Sequence, residues 1–234
     1  MAKKGGSKHF KRIGIPRILP IRARKSPKWV LAPIAGPHPK LNSVSLGVLC
    51  RDMLHLGDDL REVKRILASG SVLVDGKAVR DVRRPVGLMD LIEAPKDNKA
   101  WRMQIGKDGK FVANSMTPGS VQFKLAKVVK KTIVPSGKVS ITTHDGRTML
   151  LDNKVKVGST LKLGMPGMKL VGQLPMEAGA RCLITHGKHA GEFAVLEQVI
   201  DRVGSMDPEA RLRSGSESFI TVIKYLFVVD AEFN

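Results

Sequence analysis

The first carboxylate in this 234-residue chain is Asp52. Residues 1–40 carry seven Lys and four Arg, together with Pro16, Pro20, Pro27, Pro33, Pro37 and Pro39. Like charges do not pair with one another, and proline at that density limits any helix to a few residues. Such a stretch is not a self-sufficient fold. It reads as an extended arm that orders on a polyanion, neutralising phosphates and releasing counterions. Lipid surfaces are polyanions too, but they favour a basic amphipathic helix or a lipid anchor, and neither pattern is visible. The excess charge is uneven farther on. Residues 41–93 hold eight basic and eight acidic side chains, and 94–234 hold 21 against 13, which completes the formal net charge of +19. With 42% hydrophobic residues, the chain beyond the arm has enough apolar material for packed cores. No uncharged apolar run reaches the roughly 18 residues of a membrane span, and Met1-Ala2-Lys3-Lys4 is not followed by the apolar stretch of a secretory signal. A soluble, intracellular, strongly basic protein is expected. Cys50 and Cys182 stand far apart and belong to no CxxC, so they read as core thiols rather than a disulfide or zinc framework.

Helical periodicity is confined to one region. Leu46, Leu49, Cys50, Met53 and Leu54 form an apolar stripe that stops at Gly57. Asp58 or Asp59 can cap a second helix, with Glu62 placed for a capping box. Leu60, Val63, Ile66 and Leu67 are its buried stripe, Arg61, Lys64 and Arg65 its polar side, and Gly70 its stop. Val72–Val74, Asp75-Gly76 and Lys77–Val79 then predict a hairpin, because both positions of its tight turn need positive φ. Arg80, Arg83 and Arg84 follow, before an apolar strand Leu88–Ile92. After Pro95 the helical period disappears. Asp108-Gly109 and Asp145-Gly146 predict two more hairpin turns, and Trp101–Ile105, Val121–Leu125, Ile133–Val134, Val139–Thr142 and Met149–Leu151 read as short strands. Leu183–Thr185, Phe193–Val199 and Phe219–Val229 are strand-like as well. Gly164, Pro166, Gly167 and Pro175 mark a boundary before them.

The helix–helix–hairpin resembles the S4-type RNA-binding domain in Glu62-Val63-Lys64, Gly70, Val72, Val74 and Asp75-Gly76-Lys77. Residues 179–200 resemble a KOW motif in Gly179, Cys182–Thr185, Gly187, Gly191 and Val195, although Ala194 stands where that motif has a further Gly. The order of these modules, with Lys8-His9-Phe10-Lys11-Arg12, Gly36-Pro37-His38, Ser45-Leu46, Arg51-Asp52 and Gly87-Leu88-Met89-Asp90, resembles the ribosomal protein S4e family over almost the whole chain. The resemblance implies an α+β multidomain protein with a basic N-terminal arm (1–42), an S4-type module (43–95), a central antiparallel β-barrel or sandwich (96–174) and an SH3-like KOW barrel (175–234). It implies a structural constituent of the small ribosomal subunit, cytoplasmic and ribosome-bound, whose partners are small-subunit rRNA and neighbouring ribosomal proteins. No cofactor, metal, membrane or small-molecule substrate is implied.

Residues 43–93 contain no aromatic side chain, so base stacking is not expected there; folded RNA is instead held through phosphates, 2′-hydroxyls and shape. The expected contacts are Arg51, Arg61, Lys64, Arg65, Lys77, Arg80, Arg83 and Arg84 in that module, and Lys3, Lys4, Lys8, Lys11, Arg12, Arg17, Arg22 and Arg24 in the arm. In the KOW-like loop they are His186, Lys188 and His189, on a tight turn allowed by Gly187 and Gly191. Glu62 is expected to pair with a basic neighbour. Lys124, Lys127, Lys130 and Lys131 fit RNA contact and a solvated strand edge equally well. Two other readings remain. S4-type domains also occur on pseudouridine synthases, but Gly146-Arg147-Thr148-Met149 lacks the Asp of their Gly-Arg-Leu-Asp setting, and no nucleotide-binding or hydrolase motif is present, so no catalytic residue is expected. A non-ribosomal translation or transcription regulator would have no need of the arm or the S4-like module.

Overall fold

The computed structural model describes residues 9–21, 25, 27–117, 123–135, 137–151, 153–202, 204, 206–215 and 217–230. The chain divides into two compact units, residues 1–104 with 110–120, and residues 105–109 with 121–234. It is mostly β, with few helical turns.

In the first unit β1 (Phe10–Lys11) pairs antiparallel with β2 (Trp29–Val30), and β3 (Val44–Ser45) leads into the helical turn α1 (Leu46–Val48). The expected first helix is present but wider than an α-helix. Leu49–Met53 is a π-helical segment, closed by the Leu54 N–H on the Leu49 carbonyl at 3.0 Å. Helix α2 (Leu60–Ala68) buries Val63 and Leu67 and starts with the expected capping box. Glu62 Oε2 accepts from the backbone N–H of Asp58 at 3.0 Å and of Asp59 at 3.4 Å. The Glu62 carboxylate is therefore occupied by helix-start amides rather than by the basic neighbour expected for it.

Gly70 has φ +70°, and β4 (Leu73–Val74) and β5 (Lys77–Ala78) form the expected hairpin with both Asp75 (52°) and Gly76 (71°) left-handed. Asp75 is buried in that turn, where it accepts the Leu91 N–H at 3.2 Å. β6 (Pro85–Val86) pairs with β3. The expected strand over Leu88–Ile92 begins late, as β7 (Leu91–Ala94). Met89 has φ 66° and the Asp90 carboxylate accepts the Gly87 N–H at 2.9 Å, so residues 87–90 turn instead of extending. β8 (Lys99–Ile105) pairs with β7, and β9 (Phe111–Met116) completes a sheet ordered β5-β4-β7-β8-β9. That sheet runs past Pro95, the end expected for the S4-like module, because Asn98 takes a left-handed φ and returns the chain onto β7.

Part of the described arm is packed rather than freely extended. Phe10, Ile15, Leu19, Ile21 and Ala32 are buried. The Phe111 N–H donates to the Ile18 carbonyl at 2.8 Å, and Ser45 Oγ to the Leu31 carbonyl at 3.0 Å. Residues 9–21 and 27–42 cannot build a core alone, but they contribute these side chains to the unit they lie against. Burying each large one stabilises the attachment by about 1.5–3 kcal/mol.

In the second unit, β10 (Phe123–Ile133), β11 (Val139–Thr143), β12 (Thr148–Leu151), β13 (Thr160–Gly164) and β14 (Lys169–Leu174) form an antiparallel sheet ordered β12-β11-β10-β13-β14. Val121 and Gln122, the start of one expected strand, lie outside the described residues. The short strand expected at Ile133–Val134 is the end of β10, which bends at a bulge between Val128 and Lys130 and so joins two strand pairs. Ala126, Val128, Ile141, Leu161 and Leu163 form its apolar cluster. At Asp145-Gly146 and Asp108-Gly109 only the glycine is left-handed, so these turns are not of the Asp75-Gly76 kind.

β15 (Arg181–Ile184), β16 (Phe193–Ile200), β17 (Glu209–Ser214), β18 (Glu217–Val222) and β19 (Leu226–Val228) make the last sheet, ordered β18-β17-β16-β15-β19. The expected strand over 219–229 is split by a 3-10 turn at Ile223–Tyr225. Cys182, Ile184, Ala194, Leu196, Leu212 and Leu226 are the core here. Ala194 pairs with Cys182 and its methyl group is buried, so the position that carries Gly in the KOW pattern has room for a side chain. Cys50 and Cys182 are both buried free thiols, pushed up by desolvation to about 12 and about 11.

Candidate nucleic-acid interface

Helix α2 sets the geometry of the basic face. Val63 and Leu67 turn into the core, which leaves Arg61, Lys64 and Arg65 exposed on the other side at i, i+3 and i+4. At the end of the helix the chain turns at Gly70, where an added Cβ would lie 3.9 Å from the Ala78 side chain, so the hairpin follows closely. Lys77, Arg80 and Arg83 are exposed along and after it. Asp81 lies within this run, and its carboxylate accepts the Arg83 N–H at 2.8 Å. Arg84 is half-buried in a cleft of about 280 Å³ that is also lined by Gly36, Pro37, Arg80 and Asp81. Its buried Nε has no hydrogen-bond partner among the described residues. Leaving that donor buried is costly.

Other expected contacts are placed differently. Arg51 is held by the adjacent Asp52, Nε to Oδ1 at 2.6 Å and Nη2 to Oδ2 at 3.0 Å. That hydrogen bond raises the guanidinium further above its usual range and offsets its charge locally. Arg12 is buried, whereas Lys11 and Arg17 are exposed. Lys3, Lys4, Lys8, Arg22 and Arg24 lie outside the described residues.

In the KOW-like loop only Lys188 of the three expected side chains is exposed. His189 stacks on Phe219 with ring centroids 4.2 Å apart, and its Nδ1 lies 3.1 Å from Glu192 Oε2. His186 is half-buried against Tyr225, and burial, then the nearby Lys127, pushes its pKa down. Gly191 has φ 87°, and an added Cβ would sit 1.9 Å from the Gly106 carbonyl oxygen. The close approach that its glycine permits is thus to the protein's own backbone.

The central lysines turn inward. Lys124 is fully buried and pairs with Asp145 at 3.1 Å. Lys127 Nζ donates to the carbonyls of Leu226 at 2.6 Å, Lys224 at 2.9 Å and Ile223 at 3.4 Å, and burial pushes it down to about 8. Lys131 Nζ donates to the carbonyls of Asn153 at 2.5 Å and Val155 at 2.9 Å. Lys130 alone of the four is both exposed and outside these contacts. Among the basic positions outside the sequence reading is Lys28, exposed beside the exposed Trp29. A Lys-Trp pair inside an acid-free stretch was its signal.

A family profile described as ribosomal family S4e matches residues 97–170. The chain is 34% identical to small ribosomal subunit protein eS4 of Methanothermobacter thermautotrophicus over 98% of its length and 95% of that protein. It is 37% identical to the eS4 of Archaeoglobus fulgidus over 94% of this chain and 92% of that one. The crystal structure of 30S ribosomal protein S4e from Thermoplasma acidophilum superposes with a TM-score of 0.72 at 34% identity, over 82% of this chain and 96% of that chain. That family is one of ribosomal structural proteins, not of enzymes. By identity and coverage together, the chain belongs to the ribosomal S4e family.

Proposed function

We propose that the chain is a structural constituent of the small ribosomal subunit, ribosome-bound in the cytoplasm, that binds rRNA beside neighbouring ribosomal proteins. The observation that carries this reading is the exposure of Arg61, Lys64, Arg65, Lys77, Arg80 and Arg83, whose intervening carboxylates Glu62, Asp75 and Asp81 are engaged by backbone N–H groups. Guanidinium and ammonium groups at this density suit phosphates of folded RNA, and family membership supplies the partner. Residues 43–95 act as the S4-type module, 96–174 as the central β region and 175–234 as an SH3-like KOW module presenting Lys188. Residues 1–42 are the basic segment, and Lys3, Lys4, Lys8, Arg22 and Arg24 add phosphate contacts in this reading.

The test is the salt dependence of binding to small-subunit rRNA. Neutralising about ten phosphates gives a log–log slope near −9, and a slope near −2 would count against the proposal. In lysate, the protein is expected to sediment with small subunits and to stay there through a moderate salt wash.

A further inference from the structure

The aromatic ring that the S4-like residues lack is supplied by the preceding segment. β1 and β2 form a two-stranded ribbon in which Lys11 faces Trp29 and Phe10 faces Val30 across the pair. Trp29 is 52% exposed, unusual for the largest apolar side chain in a protein poor in aromatics. It borders a cavity of about 340 Å³ whose other walls include Phe10, Val30, Ala32, His9 and Arg83. Lys28 Nζ lies 5.2 Å from the Trp29 ring centroid, and the His9 ring lies 5.8 Å away, tilted by 57°. Arg83 is exposed, yet oriented by its Nε donating to the Ala32 carbonyl at 3.3 Å.

We propose that Trp29 is a stacking platform for an unpaired RNA nucleotide, with Lys28 and Arg83 meeting the phosphates that flank it. The inference rests on the rRNA-binding reading and extends it from phosphate contact to base contact. An exposed indole offers a π-face, and the charged groups around it are cations without a carboxylate among the cavity walls. A nucleotide matches both, through a flat base for the ring and an anion for Lys28 and Arg83. The base must be unpaired, because a base inside a duplex already has both faces covered.

The test uses the full chain carrying Trp101→Phe, which leaves Trp29 as its only indole. Titration with small-subunit rRNA is expected to quench the indole emission as the complex forms. Trp29→Ala should weaken binding about tenfold, with Trp29→Phe staying within about twofold of the parent. Neither variant should change the salt slope, since no phosphate contact is removed. The half-exposed position keeps both variants folded, and Trp29→Leu, which keeps apolar bulk without a ring, should bind as weakly as Trp29→Ala. Unchanged emission in a complex that does form, or Trp29→Ala binding as tightly as the parent, would overturn the platform and leave rRNA binding intact. A parent protein that binds no rRNA would instead overturn the ribosomal reading.

Discussion

Nε2 of His38 lies 2.9 Å from Oδ2 and 3.0 Å from Oδ1 of Asp90, 52 residues away, with both side chains almost fully buried. The same carboxylate accepts the Gly87 N–H at 2.9 Å. One acid therefore ties Gly36-Pro37-His38 to Gly87-Leu88-Met89-Asp90, two short motifs that carried the family resemblance. Their shared reason is packing. Asp90→Ala would remove the carboxylate that accepts from the buried His38 Nε2 and Gly87 N–H, and a loss of about 2–4 kcal/mol is expected. Urea unfolding should show a lower midpoint with an unchanged slope. A midpoint equal to the parent's would remove this contact from the account of the fold.

Gly87 is needed by the same arrangement. A Cβ there would lie 2.4 Å from His38 Cγ, and the ring is wedged in the interior. Gly87→Ala is expected to cost about 1–3 kcal/mol as overpacking. His38→Ala makes room, so the double variant should be more stable than the sum of the single losses by at least about 1 kcal/mol. Simple additivity in that cycle would show that the two residues do not press on each other.

Asp145 gives the protein an acid limb. Burial would raise its carboxyl, but the Lys124 ammonium at 3.1 Å, the Thr143 hydroxyl and His144 outweigh that and hold it at about 2, below its ordinary 3.8. Between those two values the unfolded chain binds the proton and the folded chain does not. The stabilisation is thus complete above pH 4 and is lost as pH falls toward 2, amounting to about 2 kcal/mol. Thermal melts across that window should show the decline, and Lys124→Met should move it to higher pH. A Lys124→Met profile that overlays the parent's would mean the ion pair does not set this limb.

Basic residues that face outward and inward should separate cleanly in two measurements. Arg61→Ser, Lys64→Ser and Arg65→Ser together are expected to reduce the rRNA salt slope by about two to three, with little change in melting temperature. Lys127→Met and Lys131→Met remove the donors that serve the Leu226, Lys224, Asn153 and Val155 carbonyls. They should lower the melting temperature and leave the slope alone. A reversed pattern would contradict the placement of these side chains.

Much of the first unit was legible residue by residue. The Asp59–Glu62 capping box, the stop at Gly70 and the doubly left-handed Asp75-Gly76 turn each depend on neighbours within a few positions, and each stands where the pattern put it. Strands could be placed where apolar residues alternate, as in Val139–Thr143. Less regular runs such as Phe111–Met116 and Lys169–Leu174 passed unnoticed, because their burial follows no clear alternation.

What local pattern leaves undecided is the direction in which a charged or polar side chain points. Composition alone showed a basic protein with an acid-free start, and the motif order showed its family. Lys64 and Lys127 are nevertheless indistinguishable by residue type. One is turned to solvent by a helix whose opposite face is buried, and the other is drawn inward by carbonyls 96 to 99 residues later in the chain. The described parts of the basic segment follow the same logic. Phe10, Ile15 and Leu19 are buried, and the Ile18 carbonyl between them accepts the N–H of Phe111, far along the chain. Short-range propensity acts within a turn or two, whereas burial and ion pairing are set by whatever the fold brings within a few ångströms. Only the tertiary structure could divide these cations between the interior and the solvent-exposed surface.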